Sequence, residues 1–197
     1  MKRLAGLSVL AVLTVAVSIP AQEAAGTKAH PYYPLKVGSV WTYKVQGGPI
    51  QVKVAGTEKA GTHTGYKLET TAAGKVSATE VVAFTDEGIQ RFSVNQLNAE
   101  PPILFLPKDV DATKEWNVDS KVAGQEIKGT FKIDKEKVTV PAGTYDTIHV
   151  KGAEMTIGAT KTTVEYWFAK DVGIVKLRFT LGTQDAVLEL ESYTAGK

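Results

Sequence analysis

The chain has 197 residues, 43% of them hydrophobic, with 23 Lys and Arg against 21 Asp and Glu and no Cys. So even a charge gives no basis for holding nucleic acid or an anionic membrane surface. The missing Cys excludes disulfides, thiolate zinc sites, iron–sulfur clusters and thiolate catalysis, so the fold must rest on its core alone.

In chain order, Lys2 and Arg3 precede an uncharged apolar run, Leu4 to Ile19, and Pro20-Ala21 sets a small residue before Gln22. That is the layout of a secretory signal peptide, expected to be cleaved near Ala21. The run is short of the roughly 20 residues that a membrane span needs. No Cys follows it to carry a lipid. The expected mature chain has 176 residues, and loss of Lys2 and Arg3 balances its charges at 21 and 21. The expectation is therefore a soluble exported protein, periplasmic or extracellular, without a transmembrane segment after cleavage. Residues 22–31 are small, polar and aperiodic and read as a flexible leader. Residues 32–197 read as a single β domain, and a chain of this size buries roughly 70% of its unfolded surface.

From Tyr32 onward the dominant period is two. Ile50, Val52 and Val54 alternate with Gln51 and Lys53; Ile127, Gly129, Phe131 and Ile133 alternate with Lys128, Thr130 and Lys132; Val175, Leu177, Phe179 and Leu181 alternate with Lys176, Arg178 and Thr180. Such runs are strands with one wet face. Gly47-Gly48, Ala73-Gly74, Asp86-Glu87-Gly88, Gly158-Ala159 and Asp171-Val172-Gly173 mark turns between them. Ser93 to Glu100 reads as one or two helical turns stopped by Pro101-Pro102. In "KVTVPAGTYDTIHVKG", Pro141 and Gly143 form a corner, and the change of parity between Ile133 and Val138 places another turn or bulge in "DKEK". These elements predict an all-β fold of about ten or eleven antiparallel strands in a curved sheet or incomplete barrel, with little or no helix; a two-sheet sandwich is the alternative.

Chemistry is sparse. Of the three His, His30 lies in the leader and reads as solvated, His63 sits in a Gly/Thr turn and His149 lies mid-strand; no Gly-x-Ser-x-Gly elbow accompanies them. Alternation turns Asp146 and His149 to opposite faces, which argues against an acid–base pair. Asp109 and Asp111 are the nearest approach to a calcium loop, but Lys108 and Lys114 flank them. Glu189 and Glu191 read as the wet face of a strand. No catalytic residue, metal site or cofactor is expected. The aromatics are more informative. "EYWF" sets Tyr166 and Phe168 on one face of a strand and Trp167 on the other, so both faces cover something.

Three stretches, "YYPLKVGSVWTYKV", "VTVPAGTYDTIHVKG" and "TVEYWFAKDVGIVKLRF", occur in this order. Together they resemble a group of exported bacterial β-rich domains whose folds look like the half-barrel of the LolA/LolB lipoprotein carriers. The resemblance spans Tyr32 to about Tyr193 and implies a non-catalytic module. With the two-faced aromatic strand and the Trp at strand entries, this leads to the expectation of an apolar or lipid-like ligand on the concave face, lined by Trp41, Tyr43, Phe131, Trp167 and Phe179. The competing expectation is an envelope structural domain that docks a partner protein through a strand edge or its loops.

Overall fold

A computed structural model describes residues 29–197. The expected signal peptide and most of the expected leader lie outside the described residues. The alternating runs form β1 (Val40–Lys44), β2 (Ile50–Ala60), β3 (His63–Ala72), β4 (Lys75–Phe84), β5 (Gly88–Val94) and β6 (Leu97–Pro107). They continue as β7 (Glu115–Val122), β8 (Gln125–Val140), β9 (Gly143–Ile157), β10 (Thr160–Ala169), β11 (Gly173–Leu181) and β12 (Gln184–Thr194). Each strand pairs antiparallel with the next, and β1 pairs with β12, so the meander closes into a barrel. The all-β expectation holds, with twelve strands in place of ten or eleven and a sheet that closes. The extra strand comes from the stretch read as helical turns. β5 runs to Val94, Asn95 and Gln96 make the turn, and β6 begins at Leu97.

Most apolar side chains point inward and most charged ones outward. Ion pairs such as Lys128–Glu126, Lys176–Glu189 and Arg178–Asp185 decorate the outer wall. A membrane-spanning barrel has the reverse pattern, with an apolar band outside and a polar interior. Among the described residues no helix is long and apolar enough to cross a membrane.

The two ends of the barrel differ. At one end five of the six hairpins turn in two residues, and only the β1–β2 connection, residues 45–49, is longer. Ala73-Gly74, Asn95-Gln96 and Ala123-Gly124 all have positive φ at both positions, the mirror-image turn that matches strand twist. At the other end the N-terminal segment folds across the opening. His30 is 2% exposed: its Nε2 donates to the Pro107 carbonyl at 3.0 Å, and its Nδ1 accepts the Tyr32 N–H at 3.2 Å. Pro31 O accepts the Asp171 N–H at 2.8 Å. Tyr33 enters the barrel against Trp41, Phe105 and Phe168. Among the described residues the packed segment includes His30, inside the expected leader, and His30 is buried where solvation was expected. The sequence cue missed was "HPYYPL", in which Pro31 and Pro34 stiffen a segment rich in buriable rings.

Two departures from regular pairing matter. The 16-residue β8 runs without a register shift from Thr130 to Val140, so no turn or bulge lies in "DKEK". Instead the β8–β9 hairpin overhangs the barrel, and the Ala142 N–H donates to Leu190 O of β12 at 2.8 Å. Val138 and Val140 are buried for that reason on a face that is wet lower down. Gly143, with φ of +140°, forms the corner. Second, β6 and β7 share only two register pairs, Ala99–Val122 and Glu100–Lys121. Pro101 and Pro102 lack the N–H groups to continue the ladder. Side chains bridge the seam instead: Trp116 Nε1 donates to Leu104 O at 2.9 Å and Ser120 Oγ to Pro101 O at 2.6 Å.

Candidate functional site

An eight-stranded barrel is just filled by its own side chains, and the interior widens with strand number. Here the closed half is filled. Trp41, Phe105, Phe168, Ile89, Leu106 and Leu190 are all at most 2% exposed. Toward the short-turn end the side chains shrink to Ile50, Val52, Val94, Leu97, Val122, Ile127, Ile157, Val164, Leu177 and Leu188, and they leave a cavity of about 610 Å³. That volume lies within the range of small-molecule sites, roughly 300–1,000 Å³.

The cavity floor is polar. Glu80 on β4 and Arg91 on β5 point inward beside Val82 and Ile89 and line the cavity. Arg91 Nε donates to Glu80 Oε2 at 2.8 Å, and the guanidinium carbon lies 5.1 Å from the centre of the Phe105 ring. Burial disfavours the charge on Arg91, but the Glu80 carboxylate and then the Tyr166 oxygen outweigh it and hold the group above its ordinary range. The Tyr43 hydroxyl donates to Ile174 O at 2.8 Å, and burial, then the neighbouring Tyr33, push its pKa well up. Tyr33 is raised as well, first by burial and then by Glu80. Tyr33 and Tyr43 are therefore neutral hydrogen-bonding groups.

The residues expected to line an apolar site separate. Tyr43 and Phe179 reach the cavity. Trp41 and Phe131 belong to the packed core, where Trp41 Nε1 donates to Val172 O at 2.6 Å and Phe131 lies against Trp116 and Tyr166. Trp167 requires a correction, because it faces outward. Its indole stacks on His149 at 4.4 Å, donates to Glu136 Oε2 at 2.8 Å and lies under Lys176 Nζ at 5.4 Å. This is what the second face of "EYWF" covers. Register explains it, since Trp167 pairs with His149 while Tyr166 pairs with the inward Val150.

His149 is held between Glu165, 2.9 Å from Nε2, and Glu136, 3.3 Å from Nδ1. Asp146 pairs with Lys137 at 3.4 Å, away from this cluster. Asp109 Oδ1 accepts the Asp111 and Ala112 N–H groups of its own loop, and Asp111 pairs with Lys135 at 2.7 Å. Among the described residues no group of three or more His, Asp and Glu is placed to hold a metal.

The inward pair Glu80–Arg91 is not evident in the sequence, and both faces of β4 show why. Val81 and Ala83 form a small outer cluster with Ala60 and Phe92, while Val82 faces the lumen. With apolar residues on both faces, alternation does not mark Glu80 as an inward charge. The available signal was that Glu80 has the parity of Val82, and Arg91 that of Ile89.

Known proteins share part of this sequence and fold. A family model described as DUF3108-like matches residues 108–178, which run from the β6–β7 connection into β11. No curated protein matches the sequence. Among solved structures, a protein from Bacteroides fragilis described as exported and of YmcC-like fold superposes with a TM-score of 0.52 at 18% identity, covering 85% of this chain and 100% of its own. A protein from Parabacteroides distasonis described as a lipoprotein gives 0.44 at 15% identity, over 84% and 99%. At 18% identity the likeness to the Bacteroides fragilis protein is one of fold alone. A closed barrel also differs from the half-barrel that the motif resemblance implies.

Proposed function

We propose that the protein is an exported, non-catalytic binding module that holds an apolar or lipid-like molecule in the barrel lumen. The observation that carries this reading is the 610 Å³ cavity, walled by aliphatic side chains and open between short hairpin turns. The carrier character implied by the motif resemblance, the apolar run at the start of the chain and the exported relative of similar fold all support it. Burial of about ten methylenes supplies roughly 8 kcal/mol before the costs of association.

The test is mass spectrometry of organic extracts from natively purified protein, with titration of the apolar fluorophore Nile red. A co-purifying lipid, or saturable Nile red binding lost when Leu188 in the lumen wall is changed to Asp, is the expected result. No lipid and no binding would sink the proposal.

A further inference from the structure

Resting on the lumen reading above, we infer that the ligand carries an uncharged, hydrogen-bond-accepting head, such as an ester, amide or alcohol. That head faces Arg91, and free carboxylates are discriminated against. Glu80 and Arg91 are the cavity's Asp, Glu, Lys or Arg residues, and they form a 2.8 Å ion pair, so the formal charge there sums to zero. Charge in a poorly solvated site must be paired or it is costly. A neutral head keeps the balance, whereas a carboxylate leaves one negative charge uncompensated beside Glu80.

The donors are nonetheless ready. Glu80 occupies Nε of Arg91, and the rest of the guanidinium lies within hydrogen-bonding reach of Tyr166, which lines the cavity with it. The Arg91 side chain lines the cavity and is 18% exposed, so a ligand in the lumen can reach it. Its position also orients the ligand. Arg91 lies midway along β5, and the wall from there to the rim is aliphatic at Val94, Leu97 and Ile50. The head lies deep and the tail points to the mouth.

The experiment is competition against Nile red at pH 7.5 with two ligands of one chain length, dodecanoate and its methyl ester. In the unaltered protein the ester is expected to bind at least ~10-fold more tightly, as the uncompensated charge requires. Glu80→Gln keeps an oxygen for Arg91 Nε and leaves the lumen one positive charge. Dodecanoate affinity should rise ~10-fold or more, so that the preference for the ester shrinks by at least that factor. Arg91→Gln moves the charge the other way and should lower dodecanoate affinity below that of the unaltered protein. It decides the matter if Glu80→Gln does not fold, as judged by near-ultraviolet circular dichroism. Dodecanoate binding as tightly as the ester before any substitution, or an unchanged preference across folded variants, overturns the head-group inference and leaves the lumen reading standing. Failure of Nile red to bind, together with no co-purifying lipid, sinks both.

Discussion

The two ends of this barrel are built from the same strands and have opposite fates. At one end the N-terminal segment, the aromatic residues and the β8–β9 overhang remove nearly all space. At the other, two-residue turns make five of the six connections, and aliphatic side chains line a cavity. Twelve strands enclose more volume than their own side chains fill, so some element has to fill the remainder. Tyr33, Trp41, Phe105 and Phe168 do so at the closed end, with ring centroids about 6 Å apart. Stability is therefore expected to concentrate in the plugged half and binding in the open half. That division can be broken by substitution.

The largest effect is expected at Phe168, which is fully buried and touches Tyr33, Phe105 and Tyr166. Phe168→Ala should cost about 3–5 kcal/mol in urea unfolding, the usual range for loss of a buried aromatic ring. A loss under about 1 kcal/mol would show that the plug is not the stabilising element. Next is Trp41→Phe. The ring face is retained, but the Nε1 bond to Val172 O is lost, leaving that carbonyl without this donor beside the β10–β11 turn. The expected cost is about 1–3 kcal/mol. An unaltered unfolding midpoint would mean that water replaces the indole.

How far the sequence reveals this division follows from its physics. Alternation made the strands visible because each has one wet face, as in Ile50–Val54 and Val175–Leu181. Closure was not visible, because it depends on β1 meeting β12, a contact between residues some 150 positions apart. The open and closed ends were not visible either. Trp41, Tyr43, Phe131 and Phe179 all have inward parity, yet height along the barrel axis decides which of them reach the cavity. Trp167 was misplaced for a different reason: the overhanging hairpin and the cover from His149 and Lys176 let an outward face carry an aromatic ring. His30 was misplaced because a short Pro-rich segment has no period from which burial can be read.

The third expectation concerns pH. Burial lowers the pKa of His30 below its ordinary 6.5, partly offset by the hydrogen bonds to the Pro107 and Lys108 backbone. In the unfolded chain the group binds its proton more readily than in the folded one. Its contribution is therefore fully present above pH 6.5 and is lost as pH falls from there toward the folded-state value. Geometry gives the same sign, since a proton on Nδ1 would oppose the Tyr32 N–H now donated to it. Stability measured between pH 7.5 and 5 should fall, and His30→Gln should flatten the slope. An unchanged slope would place the titration elsewhere.

The smallest stability effect, and the sharpest contrast with Phe168, is expected at the mouth. Leu97 lies beside the β5–β6 turn, is 47% exposed and still lines the cavity. Leu97→Ser removes little from the packed core, so unfolding should shift by no more than about 0.5 kcal/mol. Nile red affinity should fall several-fold, because the ligand loses apolar area that the protein alone leaves half in water. The two readouts should move in opposite proportion to those of Phe168→Ala when each is scaled to its unaltered value. If Leu97→Ser instead destabilised the fold by more than about 2 kcal/mol with binding intact, the rim would be part of the packed core, and the division between a stabilising end and a binding end would be lost.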